Sequence, residues 1–183
     1  MGALNMGALS TTAGAVSMTT REKYLAMGRH ELRLELEELY ADYVDCLDGE
    51  RYEDWPGFFT EECLYRIVPR ENQDNGLPIA TVHCESRGYL LDRVQGIRKT
   101  AVYGPRYIRR LVTNIRILGW KDGLLEARAR YAAFETMRDD LTRVFSVGEH
   151  RDRIAVADGR LLFREKLVVF DSELVPNSLI HPL

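Results

Sequence analysis

Four histidines and three cysteines are the side chains here best suited to metal or nucleophilic chemistry, and their spacing limits what they can do. His30, His83, His150 and His181 are far apart along the chain. A cluster held by two thiolates and two imidazoles needs a C-x-H and a C-x-x-H pair, and neither spacing occurs. A mononuclear non-haem iron needs two histidines and a carboxylate converging on one face. His30 stands near the start and His181 near the end, so no metal or cofactor site is expected in this chain. Cys46, Cys63 and Cys84 are too widely spaced for a CxxC pair, and their odd number cannot close a disulfide set, so reduced thiols are expected. The sequence also lacks a G-x-S-x-G elbow, a Walker loop and a G-x-G-x-x-G turn after a strand.

What remains is proton transfer, in which burial raises the pKa of a carboxylate and an imidazole assists. Asp48 and His83 are the candidates. Asp48 ends a helix-like run, where a carboxylate bonded to the following turn is the simpler reading. His83 lies in an alternating stretch beside Cys84, where a histidine satisfied by a backbone carbonyl is the simpler reading.

The elements that would position these residues follow from periodicity. From Glu31 to Asp48, Leu32, Leu36, Leu39, Tyr40, Tyr43, Val44 and Leu47 recur at steps of three and four between acids, which predicts an amphipathic helix. Gly49 is its expected left-handed stop. Tyr52 to Phe59 reads as a short second helix, Cys63 to Val68 as a strand, Pro69 to Pro78 as a polar loop, Ile79 to Cys84 as a strand and Glu85 to Arg98 as a helix. The period then changes. Tyr107 to Leu118, Leu124 to Met137, Leu141 to Val156 and Leu161 to Phe170 are β-rich segments, separated by Asp122-Gly123, Arg138-Asp139-Asp140 and Asp158-Gly159, and they predict a hairpin-connected meander. Helices first and long strands afterwards predict an α+β fold, with N-terminal helices packed on one strongly curved antiparallel sheet closed into a cone. Its convex face would need a partner.

Composition agrees with one globular domain: 183 residues, 45% hydrophobic, 29% charged and a net charge of -3. Basic residues interleaved with acids argue against nucleic acid, and no apolar run is long enough to span a membrane. A cytoplasmic protein is expected. Residues 1–25, with Met-Gly-Ala-Leu at both Met1 and Met6, read as a flexible leader that leaves the start open between Met1, Met6 and Met18, and 26–183 as the domain.

Several blocks, in this order and spacing, resemble the beta subunits of aromatic-ring-hydroxylating dioxygenases from about Leu34 to Leu183. They are WPGFFTEECLYRIVPREN (Trp55 to Asn72), LLDRVQGI (Leu90 to Ile97), RYIRRLVTNIRI (Arg106 to Ile117), FSVGEHRDRI (Phe145 to Ile154) and REKLVVFDSELVPNSLIHPL (Arg164 to Leu183). The likeness is greatest to oxygenases of carboxylated aromatics. It implies a cone of the nuclear transport factor 2 (NTF2-like) type and an assembly of three alpha with three beta subunits, in which beta-beta contacts are possible. It also implies that the Rieske 2Fe-2S cluster and the mononuclear iron lie in the alpha partner. For the interface, Arg109, Arg110, Arg116, Trp120 and the tail Leu179, Ile180, His181 and Leu183 are the expected residues, since Arg and Trp are enriched in interface cores. Their other reading is a solvated strand face and a packed terminus. Two further function classes stay open: a stand-alone hydratase, dehydratase or isomerase of the same cone using Asp48 and His83, and a small-ligand binding module.

Overall fold

The computed structural model describes residues 18–100, 104–172 and 180–183. Residues 1–17, most of the expected leader, lie outside that range. The remainder of the leader is structured. Helix α1 (Thr20–Ala26) begins with a capping box, in which the Thr19 hydroxyl accepts from the Glu22 backbone N–H and the Glu22 carboxylate accepts from that of Thr19. Its Tyr24 is buried and donates to Glu35 at 2.9 Å, tying α1 to the next helix.

Helix α2 (Arg29–Asp48) buries Leu32, Leu36, Leu39, Tyr40, Tyr43, Cys46 and Leu47, the stripe that its periodicity predicts. Its stop differs from expectation. Gly49 has φ -85, and Glu50 takes the left-handed conformation with φ 55. A 3-10 turn (Trp55–Phe58) replaces the expected second helix, and its Trp55 is fully buried. Strand β1 (Phe59–Pro69) follows, then helix α3 (Arg70–Asp74) inside the expected polar loop. Strand β2 (Val82–Cys84) is shorter than expected, with Ile79 exposed ahead of it. Helix α4 (Arg87–Lys99) is capped by Ser86.

Strands β3 (Arg106–Lys121), β4 (Leu124–Met137), β5 (Arg143–Ala157) and β6 (Arg160–Phe170) form the meander. Asp122-Gly123 and Asp158-Gly159 have positive φ at both residues, as a two-residue hairpin with the right twist requires. The sheet order is β2-β1-β6-β5-β4-β3. It is mixed and not wholly antiparallel, because β1 runs parallel to β6. Parallel neighbours need a long crossover, and here α4 and the meander supply it. Extra residues in β3, β5 and β6 shift the register and, as bulges do, bend the long strands. Helix α2 packs on β3 and β6 over the side that carries the core; the opposite side bears Arg128, Arg130, Glu149, Arg151 and Arg153 in the middle of β4 and β5.

Candidate functional site

Alternation along β5 turns His150, Asp152 and Ile154 inward, and along β6 it turns Lys166, Val168 and Phe170 inward. Four polar side chains therefore meet inside the cone. Lys166 Nζ lies 3.2 Å from Asp152 Oδ2, and the Tyr40 hydroxyl of α2 donates to the same oxygen at 2.6 Å. The ammonium also sits 4.3 Å from the Phe163 ring centroid and 4.7 Å from that of Tyr43. His150 packs against the Tyr131 ring at 4.8 Å. The Lys166 and Asp152 side chains have no solvent exposure. Burial raises the Asp152 pKa against the pull of Lys166, and burial lowers that of Lys166 against the pull of Asp152. Desolvation thus outweighs mutual attraction at both partners. A carboxylate, an ammonium, a phenol and an imidazole make a proton-transfer set in type, but these are sealed from solvent. Sequence reasoning missed them, although Lys166 shares the parity of Val168 and Phe170, and Asp152 that of Ile154.

The mouth of the cone gathers several of the residues singled out in sequence. Asp48, at the end of α2, is 2.5 Å from Arg110 Nη1 of β3 and accepts from the Arg110 backbone N–H at 3.0 Å. The same guanidinium donates through Nε and Nη2 to the Pro182 carbonyl at 3.1 and 2.6 Å. Tyr43 and Tyr65 donate to the Leu183 oxygen, and His181 stacks on Tyr52 with its Nδ1 2.9 Å from the phenol oxygen. Arg110, His181 and Leu183, expected at an interface, are thus packed within this chain at 5%, 3% and 2% exposure, and Ile180 packs partly buried beside them. Leu179 lies outside the described residues.

His83 does not join Asp48. It sits on β2 with its side chain 44% exposed and Nε2 3.3 Å from Glu85. β2 and β3 are opposite edges of the sheet, so the two candidates form no acid-base pair. His30 is exposed at the start of α2, while the three cysteines are buried and free, their thiol pKa values raised by burial. Among the described residues, no group of three His, Cys, Asp or Glu is placed to hold a metal.

Arg109 and Arg116 are exposed on the edge strand β3 together with Tyr107, Leu111 and Leu118. Trp120 turns inward opposite Leu125 and packs on the core. Next to this edge the convex face carries Arg128, Arg130, Arg151 and Arg153 on β4 and β5. Glu149 lies among them, 2% exposed and held by Arg151 at 2.5 Å and by Arg130. Burial pushes the Glu149 pKa up, but its hydrogen bond to Arg151 and the surrounding guanidinium charges leave it lowered overall.

The buried imidazoles make stability depend on pH. Burial, reinforced by Arg110, Arg106 and Arg93, lowers the His181 pKa to about 4, and burial with Lys166 holds that of His150 well below 6.5. In the unfolded chain both protonate near 6.5, so unfolding takes up protons as pH falls. The folded state is favoured above that value and loses up to about 1.4 kcal/mol per pH unit per histidine below it. Urea unfolding of a His150→Phe/His181→Gln variant is expected to show a flatter pH profile than the native chain between pH 6.5 and 4.5. Parallel profiles would contradict the burial of these rings.

A family model described as ring hydroxylating beta subunit matches residues 43–177. The chain is 32% identical over 149 residues to the anthranilate 1,2-dioxygenase small subunit of Burkholderia cepacia, covering 81% of this chain and 92% of that one. A solved beta subunit from Novosphingobium aromaticivorans, described as belonging to an aromatic-ring-hydroxylating dioxygenase, superposes with a TM-score of 0.76 at 33% identity, over 84% of this chain and 98% of its own. A protein from the same organism described as a scytalone dehydratase shares the fold alone, with a TM-score of 0.60 at 18% identity over 78% of this chain and 85% of that one.

Proposed function

Because the chain belongs to the beta subunits of aromatic-ring-hydroxylating dioxygenases, we propose that it serves that oxidoreductase by binding and not by chemistry. Its large alpha partner would carry the Rieske cluster and the mononuclear iron, and the complete enzyme would oxidise a carboxylated aromatic, as the name of the anthranilate relative suggests. Binding the folded partner and not the unfolded one stabilises it by mass action. An assembly of three alpha with three beta subunits in the cytoplasm, with beta-beta contacts, completes the reading. The observation that carries it is the exposed edge of β3: a 16-residue strand bearing Tyr107, Leu111 and Leu118 beside Arg109 and Arg116. Apolar side chains rimmed by arginines on an unpaired edge are what a partner surface presents, and we assign the alpha contact to this edge.

The competing reading, a dehydratase or isomerase using Asp48 and His83, loses support from their placement on opposite sides of the molecule. His83→Ala is expected to leave turnover of the assembled oxygenase within a few-fold. Asp48→Ala leaves Arg110 buried without its carboxylate and should destabilise the chain by about 3 kcal/mol, yet turnover per assembled enzyme should again stay within a few-fold. Loss of about a thousandfold in either variant, with assembly intact, would move the reaction into this chain.

A further inference from the structure

We propose that the mouth of the cone is a built binding site for a small apolar molecule presenting a carbonyl or carboxylate oxygen, occupied in the resting chain by its own segment Ile180–Leu183. Four backbone groups of that segment are met by side chains from elsewhere in the fold. The Ile180 carbonyl accepts from Arg93 at 2.9 Å, the Pro182 carbonyl from both Nε and Nη2 of Arg110, and the Leu183 oxygen from Tyr43 at 3.0 Å and Tyr65 at 3.3 Å. The Leu183 N–H donates to the Tyr65 hydroxyl at 2.9 Å. The apolar body is enclosed too, since Leu183 is 2% exposed.

Arg110, Tyr43 and Tyr65 each have contacts outside the segment: the Tyr65 ring packs edge-on against Trp55 and Phe59, although its hydroxyl bonds to Leu183 of the segment itself. Asp48 holds Arg110 at 2.5 Å, the Trp55 indole donates to the Tyr43 hydroxyl at 3.2 Å, and the Arg98 guanidinium lies 5.0 Å over the Tyr52 ring while paired with Glu53 at 2.8 Å. Without the segment, the Arg110 guanidinium and the Tyr43 phenol would keep the partners that aim them into the space it fills. Buried donors left without acceptors favour any ligand that replaces them, and a preorganised pocket spends little on ordering. This inference does not rest on the subunit assignment.

The test uses the chain with and without residues 180–183, and two probes: the peptide Ile-His-Pro-Leu and benzoate. Calorimetry is expected to show millimolar or tighter binding of both probes to the truncated chain, in competition with each other, and no binding to the intact chain. Adding Tyr65→Phe to the truncated chain should weaken the peptide about tenfold. A truncated chain that is folded by circular dichroism and binds neither probe overturns the proposal. Should truncation prevent folding, Leu183→Ala in the full chain keeps the backbone contacts but loosens the segment. The peptide is then expected to displace it, read as faster hydrogen exchange at residues 180–183, and unchanged exchange at saturating peptide overturns the proposal equally.

Discussion

Lys166→Ala is expected to lower the unfolding free energy by about 3–5 kcal/mol, because it leaves the Asp152 carboxylate buried without its cation. The Tyr40 hydroxyl and the Leu167 backbone N–H still donate to Asp152, but neither carries charge. For a chain of this length, each kcal/mol corresponds to roughly 2–4 °C in melting temperature, so a fall of about 10 °C is expected. The paired change Lys166→Met/Asp152→Leu behaves differently. It removes both charges and keeps the volume, and such replacements of buried pairs are often neutral or stabilising by about 1–4 kcal/mol. A thermal melt in which the single variant is far less stable than the double one supports the sealed ion pair. A single variant within about 1 kcal/mol of native would show that water reaches Asp152.

The second large effect concerns assembly. Tyr107→Asp/Leu111→Asp places two charges where exposed apolar side chains of β3 face outward, at 68% and 58% exposure. Folding should be unaffected, because neither residue belongs to the core. If this edge meets the large subunit, burying the new carboxylates costs at least about 3 kcal/mol, a loss of 100-fold or more in affinity. His83→Asp on the opposite edge is the control, with affinity expected within about threefold of native. Mass photometry of chains mixed with the large subunit reads the difference. A double variant that assembles at native concentrations would remove β3 from the contact.

Much of the fold was legible because its signals are local. The α2 stripe follows from spacing, and the Asp-Gly hairpins follow from the need for two positive φ values. What could not be read depends on distant partners. The parallel pairing of β1 with β6 joins segments about a hundred residues apart, for example Arg66 and Leu167, and no local pattern announces it. In β3 the inward parity runs through Ile108 and Arg110, slips at the bulge near Asn114 to Ile115 and Ile117, and slips again at Gly119 to Trp120. A strict alternation therefore misassigns part of that strand.

The site was harder to read. Arg110, His181 and Leu183 have the composition of an interface and turned out to face their own core, since the same chemistry serves contacts within and between chains. Asp48 lies where its helix predicted, but its partner is sixty-two residues away. The cluster of Tyr40, His150, Asp152 and Lys166 was hidden because charged residues default to solvent, and only their parity with apolar neighbours marked them as inward.

Whether this chain contributes a binding surface and no redox chemistry is decided by metal analysis and turnover on the isolated, homogeneous chain, followed by adding it back to the large subunit. No stoichiometric iron and no oxidation of an aromatic acid are expected from the chain alone, with activity appearing once it is mixed with an iron-loaded large subunit. About one iron per chain, or oxidation of an aromatic acid by the isolated chain, would contradict the binding role.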